Sequence, residues 1–206
     1  MADTGWVIAT SYNNVAGADT DWVSTTCFVP AAGFSDYLAC DTFGFSIPSG
    51  ATIDGIEVKI NQLNQPPTSA IIRDSQIRVY HPSSGLSTDN KASASNWPTT
   101  PTDATYGGAS DKWGETWSDT DINSSSFGVR IKVGEWSASW TGQAVVGDVQ
   151  IKVHYTVAPD VSAIIAWALG LSAWFAGQQV ASGNASGRSV GTSSRGSSAK
   201  HIPIGY

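Results

Sequence analysis

The side chains best suited by type to chemistry are His81, His154 and His201, Cys27 and Cys40, and the alternating trio Asp119, Asp121 and Asn123. The histidines lie far apart in sequence. His154 falls on the polar side of an alternating run, the usual setting of a surface histidine rather than a general base. No nucleophile elbow, phosphate-cradling glycine loop or zinc spacing occurs, and none of the many serines sits in a motif that marks a nucleophile. Cys27 and Cys40, 13 residues apart, can form one bridge or stay as two buried thiols that act as small hydrophobes. Without a paired histidine they make no zinc site. The stretch "WSDTDINSS" (117–125) places Asp119, Asp121 and Asn123 at i, i+2 and i+4, like the start of an oxygen-ligand calcium loop. The glycine at loop position 6 and the acid at position 12 are missing, and Asp and Asn also build turns with their own backbone. Calcium is therefore the weaker reading, and no catalytic residue, cofactor or enzymatic activity is expected.

Aromatic residues are the other candidate. Nine tryptophans are many for 206 residues, and Trp97, Trp113, Trp117, Trp136 and Trp140 cluster in one stretch. Such rings fill sandwich cores and subunit interfaces, and they also stack on the apolar faces of sugars. "GEWSASWTG" (134–142) reads as a hairpin tip or loop, which makes Trp136 and Trp140 the plausible exposed pair and the possible glycan contact.

The elements that would position these groups read as strands. "WVIAT" (6–10), "TTCFVP" (25–30) and "DTFGFSIP" (41–48) are short and apolar, the last with Phe43, Phe45 and Ile47 on one face. "TIDGIEVKI" (52–60) puts Ile56, Val58 and Ile60 on one side and Glu57 and Lys59 on the other. Pro48, Ser49 and Gly50 supply the tight connection before it. In "AIIRDSQIRVYH" (70–81), Ser75, Ile77 and Val79 are expected to face one way and Arg78 and Tyr80 the other. "SFGVRIKV" (126–133) and "GDVQIKVHYTV" (147–157) repeat the alternation. Turn-rich links join these runs and no helical pattern precedes residue 160, which predicts an antiparallel β-sandwich, jelly-roll or Ig-like.

Charge is unevenly distributed. All 17 acids and eight of the 11 Lys and Arg lie within residues 1–160; eight against 17 gives −9, while Arg188, Arg195 and Lys200 give the remainder +3. An acidic body argues against nucleic acid as a partner. "MADTGWVIAT" has no basic and no apolar leader region, so no Sec signal peptide is expected and synthesis is placed in a cytoplasm without export by that route.

After Pro159 the pattern changes. "DVSAIIAWALGLSAWFAG" (160–177) starts with the N-cap type Asp160 and then carries no charge. It reads as an apolar helix, with Ile164, Ile165, Trp167, Leu169, Leu171, Trp174 and Phe175 as assembly residues. Its length approaches a membrane span, but the flanks lack basic anchors, so burial against other protein is the expectation and no membrane span. Residues 178–206 are Gly/Ser-rich and end in "HIPIGY", whose Ile202, Pro203, Ile204 and Tyr206 form an apolar hook on a flexible strap. The domain expectation is a sandwich over 1–158, an assembly helix over 159–177 and a strap over 178–206.

The succession "FGFSIPSGATIDGIEVKI", "DSQIRVYH", "YGGASDKWGETWSDTDINSSSFGVRIKV" and "VVGDVQIKVHYT" resembles a domain that recurs in tailed-bacteriophage virion proteins. The likeness spans about residues 5–157 and leaves out the C-terminal segment. It implies fold roles: Ile47, Pro48, Gly50, Ile53, Gly55 and Ile56 at a sandwich edge, Phe127 and Gly128 opening a nearby strand, and Trp113 and Trp117 capping one end of the core. It also implies a structural virion protein of head, neck or tail. The expected partners are neighbouring virion proteins and further copies of the chain, in a homo-oligomer of three-fold or higher symmetry. The alternative is a receptor- or glycan-binding module of a fibre that uses Trp136 and Trp140.

Overall fold

The computed structural model describes residues 1–15, 17, 21–65, 69–137 and 139–159. The chain divides between Ala158 and Pro159, and the first unit, Met1–Ala158, holds all the described strands. The expected helix and strap, with all the assembly residues from Ile164 to Tyr206, lie outside the described residues.

Two antiparallel sheets make up the unit. The first is built around two long neighbours, β6 (Thr52–Asn64) and β11 (Gly142–Thr156). β9 (Thr102–Gly108) pairs with the far side of β6. Three short strands line the other side of β11: β1 (Ala2–Asp3), β2 (Val7–Ile8) and β4 (Thr26–Val29). The second sheet runs β3 (Ser11–Val15), β5 (Tyr37–Asp41), β10 (Gly128–Glu135), β7 (Ile72–His81), β8 (Gly85–Leu86). The alternation read in the sequence holds in the ladders. Ile56, Val58 and Ile60 of β6, Val129, Ile131 and Val133 of β10, and Val149, Ile151 and Val153 of β11 are all fully buried in one core cluster. A side-chain period of two puts every second residue of a strand on one face. The inward residues of both sheets therefore meet, and the outward ones form two polar faces.

Bulges alter the reading in two places. Between His154 and Tyr155 of β11 the partner on β6 jumps from Gly55 to Ile53. The extra residue, Asp54, lets both Ile53 and Ile56 point inward. Between Lys132 and Val133 the partner on β7 jumps from Gln76 to Asp74. Ser75, expected to face inward with Ile77, is the residue stepped over and is half-exposed; Asp74 takes the inward place.

The expected strand over 41–48 is corrected: the ladder ends at Asp41. Thr42 at φ 58° and Gly44 at φ 71° turn the backbone left-handed, away from the extended conformation of the strand before them. The alternation survives without the ladder, and Phe43, Phe45 and Ile47 are buried in the core. Asn123 replaces a neighbouring strand, accepting from the Ile47 N–H at 2.6 Å and donating to the Ile47 carbonyl at 2.9 Å. The turn after Ile47 is as expected, with Ala51 N–H donating to the Pro48 carbonyl at 3.1 Å and Gly50 at φ 75°. A four-residue helix, α1 (Asp119–Ile122), interrupts the all-β pattern and buries Ile122.

Candidate recognition surface

β10 leaves the second sheet at Glu135 and β11 joins the first at Gly142. The loop between them crosses from sheet to sheet, so of the two readings of "GEWSASWTG", hairpin tip or loop, it is the loop, an intersheet corner. Its two tryptophans face solvent, Trp136 at 41% and Trp140 at 56% exposure. Phe34 and Phe28 are also exposed. Phe34 bridges to Gly134, and Phe28 is the ladder partner of Gln143 just after the corner. Trp136, Trp140 and Phe34 thus belong to strand ends and loops at one end of the sandwich, while Phe28 points outward from the first sheet.

Glu135 holds this end together. It is almost fully buried, and its carboxylate accepts N–H groups from Ala32 at 3.0 Å, Ile71 at 3.0 Å and Ser137 at 2.7 Å. These donors come from the turn before Phe34, the start of β7 and the corner loop. Burial alone would raise the Glu135 carboxyl, but hydrogen bonds from Ser137, Ile71 and Ala32 outweigh it and hold it below the ordinary carboxylate value. Trp136 N–H donates to the Ile71 carbonyl at 2.9 Å, and its ring meets Phe34 edge-on at 5.9 Å between centroids. Gly134 lies beneath both rings. A Cβ there would come within 2.6 Å of the Trp136 ring and 2.8 Å of Phe34, so the glycine is what lets the rings rest on the strand.

The other tryptophans named in the cluster belong to the core. Trp97, Trp113 and Trp117 are buried and donate their indole N–H inward, to Asp74 Oδ1 at 2.7 Å, the Ile56 carbonyl at 2.9 Å and the Lys112 carbonyl at 2.8 Å respectively. Trp22 does the same to the Asp36 carbonyl at 2.8 Å.

Asp119, Asp121 and Asn123 direct their polar atoms to three separate partners. Asp121 closes a capping box with Ser118, accepting its N–H at 3.0 Å, and lies 3.5 Å from His81 Nε2. Asp119 accepts a long bond from Gly50 N–H at 3.4 Å, and Asn123 is occupied by Ile47. Among the described residues no group of three or more His, Cys, Asp or Glu is placed to hold a metal ion. Cys27 and Cys40 are buried thiols, not a disulfide, and burial pushes the Cys27 thiol up to about 12 and Cys40 higher still.

Sequence reasoning missed two polar constellations. Asp74 sits between the sheets, accepting from Tyr106 Oη at 2.8 Å, Trp97 Nε1, Gln62 Nε2 at 3.3 Å and Ser93 N–H at 2.9 Å. Burial raises its carboxyl despite these bonds. His154, read as a surface histidine, is buried, with Nε2 2.5 Å from Glu57 Oε1, and Lys152 reaches the same oxygen at 3.2 Å. The Asp74 position depends on the β7 bulge and has no sequence signal. The Glu57 and His154 pairing follows from two alternating strands once their register is known.

Among the described residues no helix is long and apolar enough to cross a membrane. No protein-family model matches the chain, and no curated protein matches it. Two solved structures are similar to part of it. One is titled "xylan-binding module CBM15", at 15% identity and a TM-score of 0.37, covering 72% of this chain and 90% of that one. The other is titled "CBM4 structure and function", at 16% identity and a TM-score of 0.33, covering 71% and 93%.

Proposed function

We propose that the sandwich is a non-catalytic recognition module that binds a saccharide through its aromatic end. The observation that supports this is the solvent-facing, edge-to-face pair Trp136 and Phe34, seated over Gly134, with Trp140 exposed in the same loop as Trp136. Exposed aromatic side chains in mutual contact cost solubility and are uncommon on a monomer surface unless something binds there. Flat rings offered to solvent suit the apolar faces of sugar rings, and rigid backing limits the entropy lost on binding. A glycan array probed with the full chain and with W136A and W140A tests this. Binding to a defined glycan class, lost in W136A with the fold intact by circular dichroism, supports the reading. An array that stays blank for the unaltered chain refutes it.

The setting we propose for this module is a tailed-phage virion, as a head, neck or tail accessory protein assembled through residues 160–206. The order and wording of the four quoted motifs favour it. Light scattering on the full chain is expected to give a trimer or larger assembly. A monomer at all concentrations would count against assembly through that segment.

A further inference from the structure

The outward side of β10 continues the aromatic end along the whole second sheet. Gly128, Arg130, Lys132 and Gly134 alternate with the buried Val129, Ile131 and Val133, so all four positions share the outer face. Ladder pairing adds their neighbours to that face. Tyr80 and Asp41 stand opposite Gly128, Arg78 and Ala39 opposite Arg130, Gln76 opposite Lys132, and Arg73 and Phe34 opposite Gly134. Four outward positions two residues apart make a strip about 20 Å long.

Its charge differs from that of the body. Residues 1–160 carry eight Lys and Arg against 17 acids. Half of those cations, Arg73, Arg78, Arg130 and Lys132, lie on this one face, and among the residues paired with β10 in the ladders Asp41 is an acid. The outer face of the first sheet is balanced instead, with Lys59 on Asp103 at 3.8 Å and Lys152 on Glu57 at 3.2 Å. On the strip, Arg130 meets Asp41 at 2.7 Å. Arg73 bonds the neutral Asn96 side chain at 2.7 Å, and Arg78 bonds the neutral Gln76 side chain at 3.0 Å and the Thr88 carbonyl at 2.9 Å. Neutral acceptors orient a guanidinium without cancelling its charge.

Each ring on the strip also has a cation beside it. Arg130 lies 4.1 Å from the Tyr80 centroid, Lys132 lies 5.7 Å from both Phe34 and Tyr37, and Arg73 lies 5.9 Å from Trp136. Rings and positive charges therefore interleave from Tyr80 to Trp136.

Resting on the saccharide reading of the aromatic end, we infer that this strip binds an anionic glycan, a polymer whose sugars carry carboxylate or phosphate groups. The rings would take the apolar faces of successive sugars. The Arg73 and Arg78 guanidinium groups would take the anions, for which their planar fork is suited, while Arg130 stays buried on Asp41. The length of the strip fits a chain rather than a single sugar.

Affinity electrophoresis of the full chain tests this, in gels holding polygalacturonate, polysialate, phosphomannan, fully methyl-esterified pectin or dextran. Retardation by at least one anionic polymer is expected, with esterified pectin and dextran inert and the effect weakening as salt rises. Polygalacturonate against phosphomannan tells carboxylate from phosphate. W136A and R73Q are each expected to weaken binding about tenfold, with thermal unfolding unchanged. Retardation by esterified pectin or dextran equal to that by the anionic polymers, and lost in W136A, would overturn the anionic assignment while leaving the saccharide reading standing. No retardation in any gel would overturn both. Salt-sensitive self-association measured by light scattering, in place of retardation, would mean that the acidic surface of a second copy occupies the strip, and would overturn the inference.

Discussion

Replacing Glu135 with alanine should loosen the aromatic end more than any surface substitution around it. The carboxylate is 3% exposed and takes three backbone N–H groups at 3.0, 3.0 and 2.7 Å. Hydrogen bonds to a charged group contribute about 1.5–3 kcal/mol each when buried donors are left unpaired. Two of the donors lie in loops that water can reach once the side chain is gone. A lower figure of about 1 kcal/mol per donor is then appropriate, and E135A should cost about 3 kcal/mol. That is a large share of the roughly 5–15 kcal/mol stability of a folded domain. Urea unfolding gives the stability change, and hydrogen exchange at Ala32, Ile71 and Ser137 gives its location. A pH series adds an independent check. The native Glu135 carboxyl is held below its ordinary value, so its contribution is complete above about pH 4.3 and is lost as pH falls through the lowered native value. E135A should remove that part of the acid slope. A loss under about 1 kcal/mol, or unchanged exchange at all three amides, would refute the reasoning.

Three further substitutions probe the frame. D74A removes the acceptor of four donors between the sheets, of which Gln62 keeps its bond to Tyr106 Oη, and should cost about 3 kcal/mol in urea unfolding. Because burial raises the Asp74 carboxyl, the native state holds its proton more tightly than the unfolded chain, and the stability from that proton fades as pH rises through the native value. The D74A penalty should therefore be larger in acid than at neutral pH. G134A forces the Trp136 and Phe34 rings off the strand; about 1 kcal/mol of stability should be lost, together with glycan binding, as read by the array. N123A removes both bonds to Ile47 and should cost about 2 kcal/mol, with exchange rising at Ile47 while β10 amides stay protected.

Alternation made the core of the long strands legible. Ile56, Val58 and Ile60, and likewise Val129, Ile131 and Val133, could be assigned inward from residue type alone because a sheet with one wet face enforces a period of two. What the sequence hid were departures from that period. A bulge shifts the face of every later residue, so Ser75 was expected where Asp74 sits. The "FGFSIP" run alternates as a strand does, yet the left-handed backbone at Thr42 and Gly44 removes it from the ladder. Trp136 and Trp140 were legible as exposed, since a loop rich in Gly and Ser offers them no cover. Phe34, Glu135 and the cations of the second sheet were not, because they are brought together by strand pairing and bridging between segments about 50 to 100 residues apart in sequence.

The indole N–H spectrum of the full chain during a titration with oligosaccharide pools tests the recognition claim most directly. Trp22, Trp97, Trp113 and Trp117 have indoles bonded inside the core, whereas Trp136 and Trp140 face solvent. The Trp136 and Trp140 signals should shift with saccharide and the four buried ones should not. Stationary Trp136 and Trp140 signals across all pools, neutral and anionic, would contradict the claim.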